Sequence, residues 1–252
     1  MRSAIRTLVG LAVFSIAMGY LESAVVVYLR LLYYPAGFRF PLAQIPSQVA
    51  TIEFFRELAT IIMLAGIAGF AGKNRTRRFA YFLYCFGIWD LCYYIFLKLL
   101  VGWPSSLFDW DILFLIPLPW VGPVIAPCLV SLTMIGYTVT VTWLHEKIPV
   151  LTITRRERSL ITAGSLVIIA SFLWDYIRYI RSERTAGLIW SPGNRGALFS
   201  GMARYIPAGF DWGIFWLGEV LILLAVAMMI FRGSGTDRKD RQVYKGIKNR
   251  DG

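Results

Sequence analysis

Long apolar stretches separated by short polar breaks dominate the chain, and six of them fall near 7–31, 48–72, 79–100, 122–145, 159–180 and 212–231. About 20 apolar residues in an α-helix cross ~30 Å of hydrocarbon, so each stretch is long enough to span a bilayer. The pattern predicts an all-α fold: a polytopic transmembrane helix bundle of six spans over residues 1–232. The polar, charged stretch 233–252 reads as a basic, disordered cytoplasmic tail.

Arg2 and Arg6 precede the first run as they would a signal peptide, but the run continues to Leu32. Cleavage after Ala24 would also put Glu22 where a small residue is required, so the run is expected to remain as span one. Ile112 to Val121 is apolar but short, and Pro117, Pro119, Pro123 and Pro127 deny it a regular helix. It is expected to form an interfacial hairpin or re-entrant segment leading into span four.

Composition agrees with the pattern. The chain is 57% hydrophobic and 16% charged, with a mean hydropathy of +0.60. Soluble domains are roughly 45–50% apolar and about 25% charged. A net charge of +11 raises the possibility of nucleic-acid binding. The basic residues, however, punctuate apolar runs instead of forming a soluble face, which excludes that class.

Arg2 and Arg6, the 73–78 cluster, Lys147 with the 155–158 cluster, and the residues from Arg232 to Arg250 all fall on one side of six spans. They make up 17 of the 26 Lys and Arg residues. Basic residues favour the cytoplasmic side, so both termini are expected there, in a bacterial plasma (inner) membrane. A seventh span at 112–121 would break this rule. It also sets aside Asn74-Arg75-Thr76 as a glycosylation sequon.

Trp103, Trp110, Trp120, Trp190 and Trp212 read as an interfacial aromatic belt. Ser191-Pro192-Gly193-Asn194 reads as a turn in the longest outer loop. The small residues from Ala65 to Gly72 suggest close helix packing at the cytoplasmic end of span two. Cys85, Cys92 and Cys128 lie inside apolar runs and read as packing residues. Trp89-Asp90 and Trp174-Asp175 echo each other, but two dipeptides are too short to establish a repeat.

The candidate chemistry lies in charges placed where lipid is expected. Glu22 interrupts span one; Glu53, Arg56 and Glu57 lie in span two; Asp90, Asp175 and Glu219 lie in spans three, five and six. Each costs about 2.5–3.5 kcal/mol or more at the bilayer centre, so such residues are rare and usually functional. At about 1.5 Å per residue, all but Asp90 fall in the outer halves of their spans.

Residues three and four apart share a helix face, so Glu53 faces both Arg56 and Glu57. One ion pair then leaves a carboxylate that needs a proton, a small cation or an amine. Arg178, Arg181 and Arg184 recur every third residue and could contact an anionic headgroup.

His145 is the only histidine, which excludes bis-histidine haem, HExxH zinc and multi-histidine di-iron sites. No Walker A, GxSxG or GxGxxG pattern occurs. No cofactor or metal is expected, no catalytic residue is assigned, and a non-enzymatic role is favoured. The leading expectation is a small transporter or ion-coupled permease with a carboxylate-lined cavity open to the extracytoplasmic side. A non-catalytic subunit or assembly factor, paired with a membrane protein or with a second copy, is one alternative. A membrane-embedded enzyme acting on a lipid-like phosphate at the outer leaflet is the other.

Overall fold

A computed structural model describes residues 2–147, 152–182 and 203–248, with side chains at 4–147, 152–182 and 203–233. Arg184, Trp190 and the Ser191–Asn194 turn lie outside the described residues. Six long helices occupy the predicted spans: α1 (Arg2–Tyr33), α2 (Ser47–Ala71), α3 (Arg75–Val101), α4 (Ile125–Lys147), α5 (Arg155–Ser182) and α6 (Trp212–Lys248). All six contain stretches long and apolar enough to cross a membrane, the architecture of a multi-pass membrane protein. In α6 that stretch is Trp212–Gly233. The backbone stays helical beyond it to Lys248, where composition had suggested a disordered tail.

With six spans the chain ends share one face, here the terminal face, and the α1–α2, α3–α4 and α5–α6 connections share the other. Local chemistry sets the helix ends. Asn74, set aside as a sequon, caps α3 by accepting the Arg77 N–H at 2.9 Å. Gly102 ends the same helix in the left-handed region, at φ 70°. At the start of α5, Thr154 and Glu157 form a capping box: the Thr154 N–H donates to Glu157 and the Glu157 N–H to Thr154. The Arg232 guanidinium, on α6, completes the clamp by donating to both Glu157 oxygens.

The Pro-rich segment is a hairpin on the face opposite the termini. Strand β1 (Trp110–Phe114) pairs antiparallel with β2 (Trp120–Pro123), Asp111 opposite Gly122 and Ile112 opposite Val121. Pro127 falls in the first turn of α4, where its missing N–H costs nothing. The hairpin packs on Tyr176, Ile180 and Tyr205, and the segment between α1 and α2 joins this cluster through Phe38, Phe40 and Leu42.

Close helix crossings occur at single glycines. A Cβ on Gly164 would lie 2.7 Å from the Gly218 carbonyl oxygen, which fixes the α5–α6 contact. On Gly87 it would meet the Ser131 carbonyl oxygen at 2.7 Å, and on Gly19 the Cys92 Cβ at 2.8 Å. The small-residue stripe of α2 packs through Ala68 and Ala71 and not through its two inner glycines. Nothing lies within 4 Å of a Cβ built on Gly66 or Gly69, whereas Ala68, on the same stripe, is buried together with Leu64.

Two of the tryptophans read as an aromatic belt also pack on the bundle. Trp120 stacks on Phe172 with ring centroids 6.1 Å apart, and Trp212 packs edge-on against Phe215. The hairpin and its neighbours fold over the helix ends and draw these rings inward.

Candidate functional site

Buried charges gather in two cavities, one on each side of the hairpin. The smaller, about 140 Å³, is lined by Arg30 from α1, Glu53, Arg56 and Glu57 from α2, and Asp111 and Leu115 from the hairpin segment. Ser23, one turn beyond the Gly19 crossing, donates to the Tyr93 carbonyl oxygen at 3.0 Å and docks α1 on α3. This sets Glu22 against α2. Arg56 bonds Glu22 and also reaches Glu53, with Nε 2.8 Å and Nη2 2.7 Å from Oε2. One guanidinium thus holds a carboxylate from each of two helices.

Glu57, four residues after Glu53, makes no ion pair among the described residues. Its Oε2 accepts the Leu115 backbone N–H at 2.8 Å.

Sequence reading missed the second ion pair of this cavity. Arg30 Nη2 lies 3.6 Å from Asp111 Oδ1, and the Tyr94 hydroxyl donates to Asp111 Oδ2 at 3.2 Å. The Arg30 guanidinium also sits over two rings, 4.5 Å from the centroid of Phe38 and 3.8 Å from that of Trp103. It therefore ties the α1–α2 segment, the end of α3 and the hairpin together. Burial pushes the Asp111 carboxyl up to about 6, while Arg30, the Ile112 N–H and the Tyr94 hydroxyl pull the other way.

The larger cavity, about 410 Å³, lies between α2, α3, α4, α5, α6 and the hairpin. Its walls are mostly aromatic and aliphatic, including Phe86, Trp89, Trp120 and Phe172, but Asp90 and Glu219 line it too. Both carboxylates are held by hydroxyls of α4. The Gly87 crossing brings α4 against α3, and Ser131 donates to Asp90 Oδ2 at 2.8 Å. Thr133 donates to Glu219 Oε2, also at 2.8 Å.

One segment separates the two cavities. The register shift between Ile112 and Phe114 breaks strict alternation. Asp111, Ile112 and Leu115 border the smaller cavity, while Leu113, Phe114 and Ile116 border the larger.

The seven charges proposed from sequence therefore do not form one site. Glu22, Glu53, Arg56 and Glu57 cluster. Asp90 stands apart from them, because Trp89, Cys92 and Tyr93 meet α1 at Gly19 whereas Asp90 projects toward α4. Glu219 joins Asp90 in the larger cavity. Asp175 lies in neither: it accepts the Tyr205 hydroxyl at 2.5 Å and the Ala208 N–H at 3.0 Å, which pins the segment before α6 to α5. Arg178 and Arg181 are exposed at the end of α5. No family model, curated protein or solved structure matches the chain.

Proposed function

We propose that this protein is a small transporter or ion-coupled permease of the plasma membrane, with its termini cytoplasmic, whose coupling step takes place at Glu57. Support comes from the charge balance around the smaller cavity. Glu22, Glu53, Glu57 and Asp111 outnumber Arg30 and Arg56, four carboxylates to two guanidiniums. Arg56 is held by Glu22 and Glu53, Arg30 faces Asp111 through Nη2 while its Nη1 has no hydrogen-bond partner among the described residues, and Glu57 is left with a backbone amide.

A low-dielectric site with an excess of carboxylates takes up a proton or a cation. The ligand proposed for Glu57 is a proton or an ammonium group, either of which a single carboxylate can hold. The Leu115 amide links this step to the larger cavity. When Glu57 turns to a proton or an amine it releases Leu115, in the segment that forms the wall between the two cavities.

The test is a concentration-jump current from proteoliposomes adsorbed to a solid-supported membrane. Jumps in proton or methylammonium concentration are expected to give a protein-dependent current. Glu57→Gln should reduce it at least tenfold while the protein remains in the membrane. A current from sodium alone, no current at all, or an undiminished current from Glu57→Gln would overturn the proposal.

A further inference from the structure

We infer that the larger cavity is a binding site for a lipophilic amine: an organic cation with an aromatic or aliphatic body. Its volume of about 410 Å³ falls in the range of roughly 300–1,000 Å³ typical of small-molecule sites. Its walls supply two kinds of chemistry. Phe86, Trp89, Trp120 and Phe172 give aromatic faces that attract both apolar groups and cations. Asp90 and Glu219 give two carboxylates, and among the described residues no Lys, Arg or His lines the cavity to neutralise them. A basic nitrogen on an apolar body satisfies both at once, whereas an anionic lipid headgroup would meet only like charge.

Unpartnered polar atoms on these walls support the same assignment. Glu219 is only 2% exposed; its Oε2 is held by Thr133, but its Oε1 has no hydrogen-bond partner among the described residues. Trp89 Nε1, Trp120 Nε1 and the Tyr137 hydroxyl are likewise buried with no hydrogen-bond partner among the described residues, and all three residues line the cavity. Buried polar groups left unpaired are few in folded proteins, and four on one cavity is a concentration. They match a ligand whose ammonium meets carboxylate oxygens and whose own hydroxyl or carbonyl oxygen meets the indole N–H groups.

The helix arrangement gives such a ligand a way in. α5 packs on α6, α6 on α4, α4 on α3, and α3 on α1 and α2, but α2 and α5 form no packed interface. Leu58 and Ile61 of α2 and Ile161, Ser165 and Ile169 of α5 line the cavity on either side of that gap. An amphiphile dissolved in the bilayer can therefore enter body first. As the substrate site of the proposed transporter, the assignment rests on that reading. As a binding site, it stands without it.

The experiment is equilibrium binding of a matched pair, 4-phenylbutylamine and 4-phenylbutan-1-ol, to the full-length protein in detergent, read by calorimetry and by tryptophan quenching. The amine is expected to bind at least tenfold more tightly than the alcohol. Asp90→Asn and Glu219→Gln, with melting temperatures measured alongside, should each weaken the amine at least tenfold and leave the alcohol unchanged. Binding and the concentration-jump current are read on the same wild-type preparation, so a failure of ion coupling and a failure of this site are separately visible. Equal affinity of wild type for amine and alcohol would overturn the inference, as would amine binding indifferent to both cavity variants. The first comparison needs no variant to fold.

Discussion

Replacing Arg56 by methionine is expected to lower the stability of the folded protein by about 2–4 kcal/mol. Methionine keeps most of the apolar stem but leaves Glu22 and Glu53 facing each other across α1 and α2 without a cation. Removing one member of a buried ion pair typically costs about 3–5 kcal/mol, because the remaining charge stays desolvated. Arg56 is 21% exposed along its side chain, so solvent screens part of that loss. Adding Glu22→Gln to Arg56→Met should recover about 1–3 kcal/mol, since the two residues belong to one network. Thermal unfolding in detergent of the wild type, both single variants and the double variant measures this coupling. If Arg56→Met melts with the wild type, the network does not hold α1 to α2.

Arg30→Ala is expected to be comparably damaging, by about 2–4 kcal/mol, through a different route. It removes the cation over Phe38 and Trp103, each such contact being worth about 0.5–2 kcal/mol, and it strips Asp111 of its counter-charge. Asp111→Asn should cost less, on the order of 1 kcal/mol, because its amide oxygen still faces Arg30, its NH2 group donates to the Tyr94 hydroxyl oxygen, and no negative charge is buried.

The two variants also differ in pH dependence. The Asp111 carboxyl is raised to about 6 in the folded protein, against about 3.9 for an ordinary aspartate. Between those values the folded state holds a proton that the unfolded chain has released. The stability this adds is fully present below about pH 4 and is lost as the pH rises through about 6. Asp111→Asn therefore removes a fall in stability between about pH 4 and pH 6 that the wild type retains. Parallel unfolding curves across that range for the wild type and the asparagine variant would contradict the burial of Asp111.

The membrane architecture was legible in the sequence because each apolar run exceeds what a bilayer requires, and the prolines at 117, 119 and 123 rule out a helix. The Glu53–Arg56 pair was legible for a similar reason, since helical spacing alone brings those side chains together. Its extension to Glu22 was not, because the contact depends on how α1 and α2 rotate against each other.

Asp90 illustrates the same gap. Its depth could be estimated, but not its face, and the face sent it to α4 and into the company of Glu219. Arg30 and Asp111 were overlooked because each occupies a position where charge is ordinary, a helix end and a hairpin. Their burial arises only when the hairpin folds back over the bundle. Ser131 and Thr133 gave no warning either, since hydroxyls commonly bond within their own helix. The Thr154–Glu157 capping box is the exception: its spacing was present in the sequence and could have been read.

The central claim is that the smaller cavity has more carboxylates than cations, so that Glu57 carries an exchangeable proton or ammonium partner. Infrared difference spectroscopy of the protein in detergent tests it most directly, with acid or methylammonium added and the carboxyl stretching region recorded. The account predicts a carboxyl band that responds to one of these additions in the wild type and is missing from Glu57→Gln. The same band changes in both proteins, or none in either, would contradict it.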